Sequence, residues 1–544
     1  MQGPTPPDLV NGQFQGAENS PVGQTVFDAF ERALAHSPDK VLVVAGEKRW
    51  TYRDVALKVE ALAVRLADMG LRAGDVVSIQ LPNWAEFIVI HLAATRLGAI
   101  TNCLLPIYRA KELGYILSFA QTKIVFAPGE FRKFDYRPLY RKLRPDLPAL
   151  EHIVIVGGGC PDDMIDFDSL LEPTKESPPR CAVDADDTTM LIFTSGTESN
   201  PKGVIHTHAT MNFGNRIVAS ILGLNSDEVI WAASPIGHAT GMMWTVRQAI
   251  ILGATVVMQE VWDAAAAVDL IERERCTFTT AATPFAAVLA EEPGIEHRDL
   301  SSFRIFMCGG ATVPSMLGAA LRQKIGVNLL PVWGMSECFV ATICSPNDPE
   351  DLRYGTDGRA LPGVEMAIFD STRTRILAPG QEGEIATRGP HVCKGYFKDP
   401  ERTAATFSSD GWLFSGDLGV IDEGGYLRVL GRIKDIINRG GLKISAGEVE
   451  DMLLQHPKVR AAAVVGIPDN RLGEKACACI IPHQGENVSL GELIAMLKAR
   501  GVAAYKLPEF IAIIENLPMT ATGKVQKFKL RDDLVAGTLQ MSST

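Results

Sequence analysis

Apolar residues recur at helical spacing over positions 51–69, and Gly70 stands where a helix stop belongs, so a helix is expected there. The apolar run 76–81 reads as a buried strand, and Asn83 is placed to cap a second helix ending near Gly98. This alternation continues past residue 300 and predicts an α/β fold, with parallel sheets carrying helices on their faces. Residues 424–430 read as a Gly-rich strand, and the charged stretch Gly431-Arg432-Ile433-Lys434-Asp435 breaks the pattern. Beyond the break, Ser445-x-x-Glu448 and Ser489-x-x-Glu492 have the form of capping boxes, and 461–466 and 476–481 read as strands. The expected organisation is a poorly ordered leader over 1–22, a large domain of several subdomains over 23–432, and a small α+β domain over 433–544.

Composition narrows the class. The chain has 544 residues, 46% hydrophobic and 22% charged, enough to bury a core in each subdomain. Its 53 basic and 64 acidic residues sum to −11, which opposes nonspecific attraction to nucleic acid or anionic lipid. Ten scattered cysteines without a Cys-x-x-Cys read as buried thiols of a reducing compartment. Cys477-Ala478-Cys479 and His206-Thr207-His208 are read as structural rather than metal-binding. No secretory signal is visible, and the most apolar windows, 87–104 and 242–261, are interrupted by Arg96 and by Arg247-Gln248. A cytoplasmic location without an integral membrane segment is expected.

The stretch Thr194-Ser195-Gly196-Thr197-Glu198-Ser199-Asn200-Pro201-Lys202-Gly203 carries the first chemical signal. Hydroxyls, unhindered glycine N–H groups and the Lys202 cation suit phosphate oxygens, and the apolar Leu191-Ile192-Phe193 leads in as a strand. Its spacing is not that of a Walker loop. Taken alone, the stretch is also compatible with a surface turn. Four further segments stand in company with it: Phe306-Met307-Cys308-Gly309-Gly310-Ala311, Pro331-Val332-Trp333-Gly334-Met335-Ser336-Glu337, Ser415-Gly416-Asp417 with Arg432, and Pro518-Met519-Thr520-Ala521-Thr522-Gly523-Lys524.

In this order the segments resemble the motifs of the acyl-adenylate-forming superfamily, which includes acyl-CoA synthetases, firefly luciferases and peptide-synthetase adenylation domains. The resemblance covers nearly the whole chain and implies ATP, Mg²⁺ and coenzyme A as reaction partners. It implies that Thr194, Ser195, Gly196, Thr197 and Lys202 hold phosphates, and that Gly309, Gly310 and Ala311 wall the adenine. Trp333, Gly334 and Met335 would line the nucleotide, Ser336 would donate to the α-phosphate, and Glu337 would be the metal ligand. Asp417 and Arg432 would hold the ribose, since a carboxylate accepts from both hydroxyls of a diol. Lys524 would stabilise the charge developing on phosphorus. A rotation at Lys434 would then replace the Lys524 loop with the Gly440-Gly441 loop, which would line the CoA passage. Acetylation of Lys524 by a lysine acetyltransferase would remove its charge.

The acid is suggested by Ser234-Pro235-Ile236-Gly237-His238-Ala239-Thr240-Gly241, which resembles the segment that gates the acyl pocket, here with His238. His238 could also donate to the carboxylate, and a core histidine is the alternative. No Asp stands beside it to bind an amino group, so an amino acid is disfavoured. Gly334, where acetate-activating relatives carry Trp, is expected to leave room for a longer or ring-containing acid. The lining expected from 235–244, 283–285 and 307–309 includes Met242, Met243, Phe285 and Met307 and no charge. Each methylene buried there would contribute ~0.8 kcal/mol. The resemblance is nearest to bacterial short- or medium-chain and cyclohexanecarboxylate CoA ligases. Transfer to a carrier protein, or nucleotide binding without turnover, are the alternatives. Acyl group, pathway and oligomeric state stay open.

Overall fold

The computed structural model describes residues 9–10, 13–14, 24–177, 181–194, 201–311, 313–519 and 525–543. The expected leader lies outside them, apart from the short paired strands Leu9–Val10 and Gln13–Phe14.

Two large sheets dominate. The seven-stranded sheet runs Ile165–Asp166, His152–Val156, Thr122–Pro128, Val76–Ile79, Ile100–Cys103, Thr188–Thr194 and Lys202–Thr207. All its neighbours are parallel except the last pair, in which Thr194 stands opposite Lys202. The nine-stranded sheet has a parallel centre, from Asn328–Trp333 through Ile305–Gly309, Phe278–Ala282, Val229–Ala232 and Thr255–Met258 to Val41–Ala45. Strands buried on both faces read as continuous apolar runs, which is why the sequence signalled parallel sheets. One hydrophobic cluster containing Val77, Phe87, Phe213, Met242 and Met307 joins the two sheets through the helices between them.

The helix expected over 51–69 is Tyr52–Asp68, with Thr51 in a capping box with Asp54 and Gly70 at φ 85°. Asn83 is not a cap. The following helix is Glu86–Arg96, and the Asn83 amide donates to the carbonyls of Ala232, Ser234 and Gln259, each at 3.1 Å. Its Oδ1 accepts from Ile236 N at 2.9 Å. Asn83 therefore ties the first sheet's region to the segment that carries His238.

An antiparallel sheet of Glu365–Phe369, Gly383–Arg388, Leu413–Ile421 and Leu427–Arg432 completes the large part. The turn Ile433–Asp435 then leads into a small C-terminal domain built on the hairpin Val459–Asp469 and Gly473–Pro482. Two hydrophobic clusters of its own fill this domain. Ser489 and Glu492 form the expected reciprocal box. Ser445 makes only half of one, because Glu448 turns its carboxylate to Lys506 at 2.7 Å. No helix among the described residues is long and apolar enough to cross a membrane.

Candidate active site

The strand Thr188–Thr194 and its antiparallel partner Lys202–Thr207 deliver both ends of the expected phosphate turn to one place. Ser195, Gly196 and Thr197 fall outside the described residues. At the near end, Thr194 Oγ1 is buried with no hydrogen-bond partner among the described residues. Such a hydroxyl is a donor awaiting an acceptor.

At the far end Lys202 meets Glu337. The Lys202 ammonium pairs with Glu337 Oε1, the Tyr396 hydroxyl donates to the same oxygen at 2.8 Å, and Lys202 Nζ donates to the Tyr396 oxygen at 2.8 Å. Burial opposes a charge on Glu337, yet the Lys202 cation and the hydrogen bonds from Lys202 and Tyr396 outweigh it and hold the carboxyl below its ordinary range. Burial and the adjoining Glu337 raise the Tyr396 phenol, which stays a neutral donor.

Backbone contacts fix the same group. Glu337 O accepts from Cys393 N at 2.8 Å, and residues 394–397 pair with the Lys202 strand, Ile205 N to Gly395 O at 3.1 Å and Phe397 N to Gly203 O at 2.8 Å. His206 Nε2 lies 2.7 Å from Ser336 O, so its proton sits on that nitrogen and is donated to the carbonyl. Burial pulls the His206 imidazole down to about 4, leaving it neutral. No group of three or more possible metal ligands occurs among the described residues.

The nucleotide-wall segments are adjacent strands. Gly309 pairs with Val332, and a Cβ on Gly309 would lie 2.7 Å from the Val332 carbonyl oxygen, so glycine is required there. Gly310 follows at φ 85°, and Ala311 O accepts from Thr283 Oγ1 at 3.2 Å. Gly334 owes its identity to its own backbone turn. A Cβ there would stand 1.7 Å from the Phe339 carbonyl oxygen, so a close backbone approach by itself calls for glycine. Met335 O accepts from the N–H of Phe339 at 2.6 Å, closing that turn.

Asp417 and Arg432 face each other across Leu413–Ile421 and Leu427–Arg432. Asp417 Oδ1 pairs with Arg432 Nε at 2.8 Å, and Oδ2 accepts from Trp333 Nε1 at 2.9 Å. The buried Trp333 thus ties the glutamate segment to the expected ribose carboxylate.

His238 is the N-cap of the short helix Ala239–Gly241, its Nδ1 accepting from Thr240 N at 3.3 Å. Met242, Met243 and Met307 are fully buried in the cluster between the sheets. Lys434 lies in the turn Ile433–Asp435. Gly440 and Gly441, at φ 62° and 88°, form the two-residue turn between Ile437–Arg439 and Leu442–Ile444. Their N–H groups bond Leu472 O and Asn438 Oδ1 within the small domain, so the described contacts do not bring this loop to Glu337. Lys524 lies outside the described residues.

Sequence reasoning missed Tyr396. It sits in an irregular stretch, 59 residues from Glu337 and 194 from Lys202, and no spacing rule marks it.

Known proteins give the same arrangement. Residues 30–397 match the AMP-binding enzyme family, and residues 448–524 match the AMP-binding enzyme C-terminal domain. The chain is 39% identical over 513 residues to a medium-chain fatty-acid–CoA ligase of Escherichia coli K12, covering 93% of this chain and 90% of that one. It is 34% identical to a 2,3-dihydroxybenzoate-AMP ligase of Bacillus subtilis 168, with 94% of each covered. An anthranilate CoA ligase solved with anthranoyl-AMP superposes with a TM-score of 0.89 at 26% identity, covering 96% of this chain and 100% of that one. With both family models matched in this order, and with these identities over nearly the whole chain, this chain belongs to the AMP-binding enzyme family, the acyl-adenylate-forming ligases.

Proposed function

We propose that the protein is an AMP-forming carboxylate–CoA ligase acting on a hydrophobic medium-chain or alicyclic acid. The observation that carries this reading is the meeting of Lys202 with Glu337 and of Trp333 with Asp417, which joins three distant segments around one centre.

In the first half-reaction a carboxylate oxygen attacks the α-phosphorus of ATP, the bond to the β-phosphate oxygen breaks, and pyrophosphate leaves. Two anions must approach, so the barrier is largely electrostatic. Thr194 and Lys202 would donate to phosphate oxygens, Ser336 to the α-phosphate, and Asp417 with Arg432 would hold the ribose. Lys524 would neutralise the charge developing on phosphorus. In the second half-reaction the CoA sulfur attacks the acyl carbonyl and AMP departs, so no protein nucleophile is required. Rotation at Lys434 would exchange the Lys524 loop for Gly440 and Gly441.

Glu337 is a hard oxygen donor, and among the described residues it belongs to no group of three or more possible metal ligands. The residues therefore fit a magnesium ion that takes one protein oxygen and completes its shell with phosphate and water. Such an ion would neutralise triphosphate charge.

The likeness to a medium-chain fatty-acid–CoA ligase and the buried Met242, Met243 and Met307 support an apolar acid. The likeness to a 2,3-dihydroxybenzoate-AMP ligase favours a second reading, an aryl acid passed to a carrier protein. AMP release measured with linear acids from acetate to dodecanoate, cyclohexanecarboxylate, benzoate and larger ring acids, with and without CoA, separates them. The proposal expects CoA-dependent turnover peaking with medium-chain or alicyclic acids. Adenylation confined to aryl acids and indifferent to CoA overturns it. A cytoplasmic location and a place in fatty acid metabolism follow from the same proposal, as does acetylation of Lys524 as a control on the first half-reaction.

A further inference from the structure

Arg247 closes the stretch Met242–Arg247, where the helix widens into a π-turn, and its side chain is fully buried. Nη2 donates to Asn212 Oδ1 at 2.8 Å. Nε and Nη1 are buried and have no hydrogen-bond partner among the described residues. The neighbouring group whose charge would favour the cation is the Cys103 thiol, which burial pushes up to about 12 and so keeps protonated. Burial pulls the guanidinium down to about 9, which still leaves it cationic at neutral pH. A buried cation is costly, and two of its donors have no partner among the described residues.

Its surroundings hold neutral polar groups. His208, the first residue of the helix His208–Leu222, and His91, in Glu86–Arg96, are buried and feel the Arg247 charge. Burial and Arg247 keep both imidazoles neutral, His208 down at about 3 and His91 well below its ordinary value. His208 Nδ1, His91 Nε2 and Gln248 Nε2 are buried and unpartnered among the described residues, as are the acceptors Asn102 Oδ1 and Asn215 Oδ1. His91 Nδ1 lies 3.0 Å from Thr101 Oγ1. If the threonine hydroxyl donates there, His91 Nε2 carries a free N–H. None of these residues has a part in the adenylation scheme.

We propose that Arg247, through its unpartnered Nε and Nη1, forms a buried site for one small anion, a halide or a carboxylate. A halide would come from solution. A carboxylate would be the distal acid group of the acyl substrate, because Arg247 shares its helical stretch with Met242 and Met243, expected to line the acyl pocket. The carboxylate source rests on the ligase reading, and the halide source does not.

The full chain is tested in two arms. In the first, melting temperature is followed as sodium bromide replaces sodium gluconate at constant ionic strength, and bromide is located by anomalous scattering in crystals of the unmodified protein. A saturable rise, lost in Arg247→Met, with bromide within hydrogen-bonding distance of Arg247 Nε or Nη1, establishes the halide source. In the second, AMP release is compared for suberate and octanoate. A suberate-to-octanoate ratio of kcat/KM that falls at least tenfold in Arg247→Met establishes the carboxylate source. If bromide leaves the melting temperature unmoved, water alone lies against Arg247, and the ratio does not change, the site does not exist. Turnover of either acid keeps the ligase reading standing apart from that outcome. Absence of turnover with every acid leaves the bromide arm to decide alone.

Discussion

Trp333 and Asp417 lie 84 residues apart, and the indole N–H of the first donates to the carboxylate of the second at 2.9 Å. The other carboxylate oxygen is held by Arg432 at 2.8 Å, so Asp417 is oriented from two sides before any ligand arrives. Asp417→Asn removes the charge while keeping the size. Hydrogen bonds to a charged group contribute roughly 1.5–3 kcal/mol, so KM for ATP should rise about 10- to 100-fold. Steady-state kinetics on a variant with unaltered circular dichroism check this, and an unchanged KM removes Asp417 from the nucleotide site.

Lys202 and Glu337 form a partly buried pair, with Glu337 only 2% exposed and the Lys202 side chain 24% exposed. Breaking one partner of such a pair costs about 3–5 kcal/mol, whereas removing both costs less than the sum. Lys202→Met, Glu337→Gln and the double variant, compared by denaturant unfolding, should show positive coupling. Glu337 is held below its ordinary value of 4.5. Its contribution is therefore complete above that value and is lost as pH falls through the lower folded-state pKa. Acid unfolding of Glu337→Gln should lack this component.

Asp451, in the helix Ala446–Leu453, lies where the small domain meets the large one, since the adjoining Ser445 hydroxyl bonds Leu430 O. Burial first, then the charges of Glu450 and Asp357, push its carboxyl up to about 7, against the pull of Lys527. The folded state thus keeps a proton that the unfolded chain gives up near 3.8, and stability falls as pH rises between those values. Asp451→Asn should raise stability by on the order of 2 kcal/mol at pH about 8 and by little at pH about 4. Equal shifts at both ends would remove Asp451 as the source.

Lys524→Ala should slow pyrophosphate exchange into ATP by about 10²- to 10³-fold, the loss typical of removing one electrostatic stabiliser. Thioester formation from a preformed acyl adenylate should be spared. Equal loss in both assays refutes the two-conformation scheme.

The sequence made local features legible. Thr51 and Gly70 bracket a helix because caps act within one turn. What escaped depends on partners distant in the chain. Asn83 has the side chain of a cap, yet its amide holds three carbonyls from another part of the fold. Tyr396 gains its place only when residues 394–397 pair with the Lys202 strand. Gly334 could be read as pocket space because the nearness of the Phe339 carbonyl is invisible until the turn closes. Arg247 looked like an interruption of an apolar window, and that two of its donors have no partner among the described residues is a property of the packed interior alone.

The cysteines bear on the enzyme's own safety. An acyl adenylate is a strong acylating agent, and Cys338, Cys393 and Cys308 lie in or beside the segments expected to surround it. Burial raises all three thiols, Cys393 and Cys308 to about 12, so none offers a thiolate at neutral pH. Under the proposed reaction the activated acid would therefore meet no reactive protein thiol at these three positions and would wait for a thiol delivered from outside.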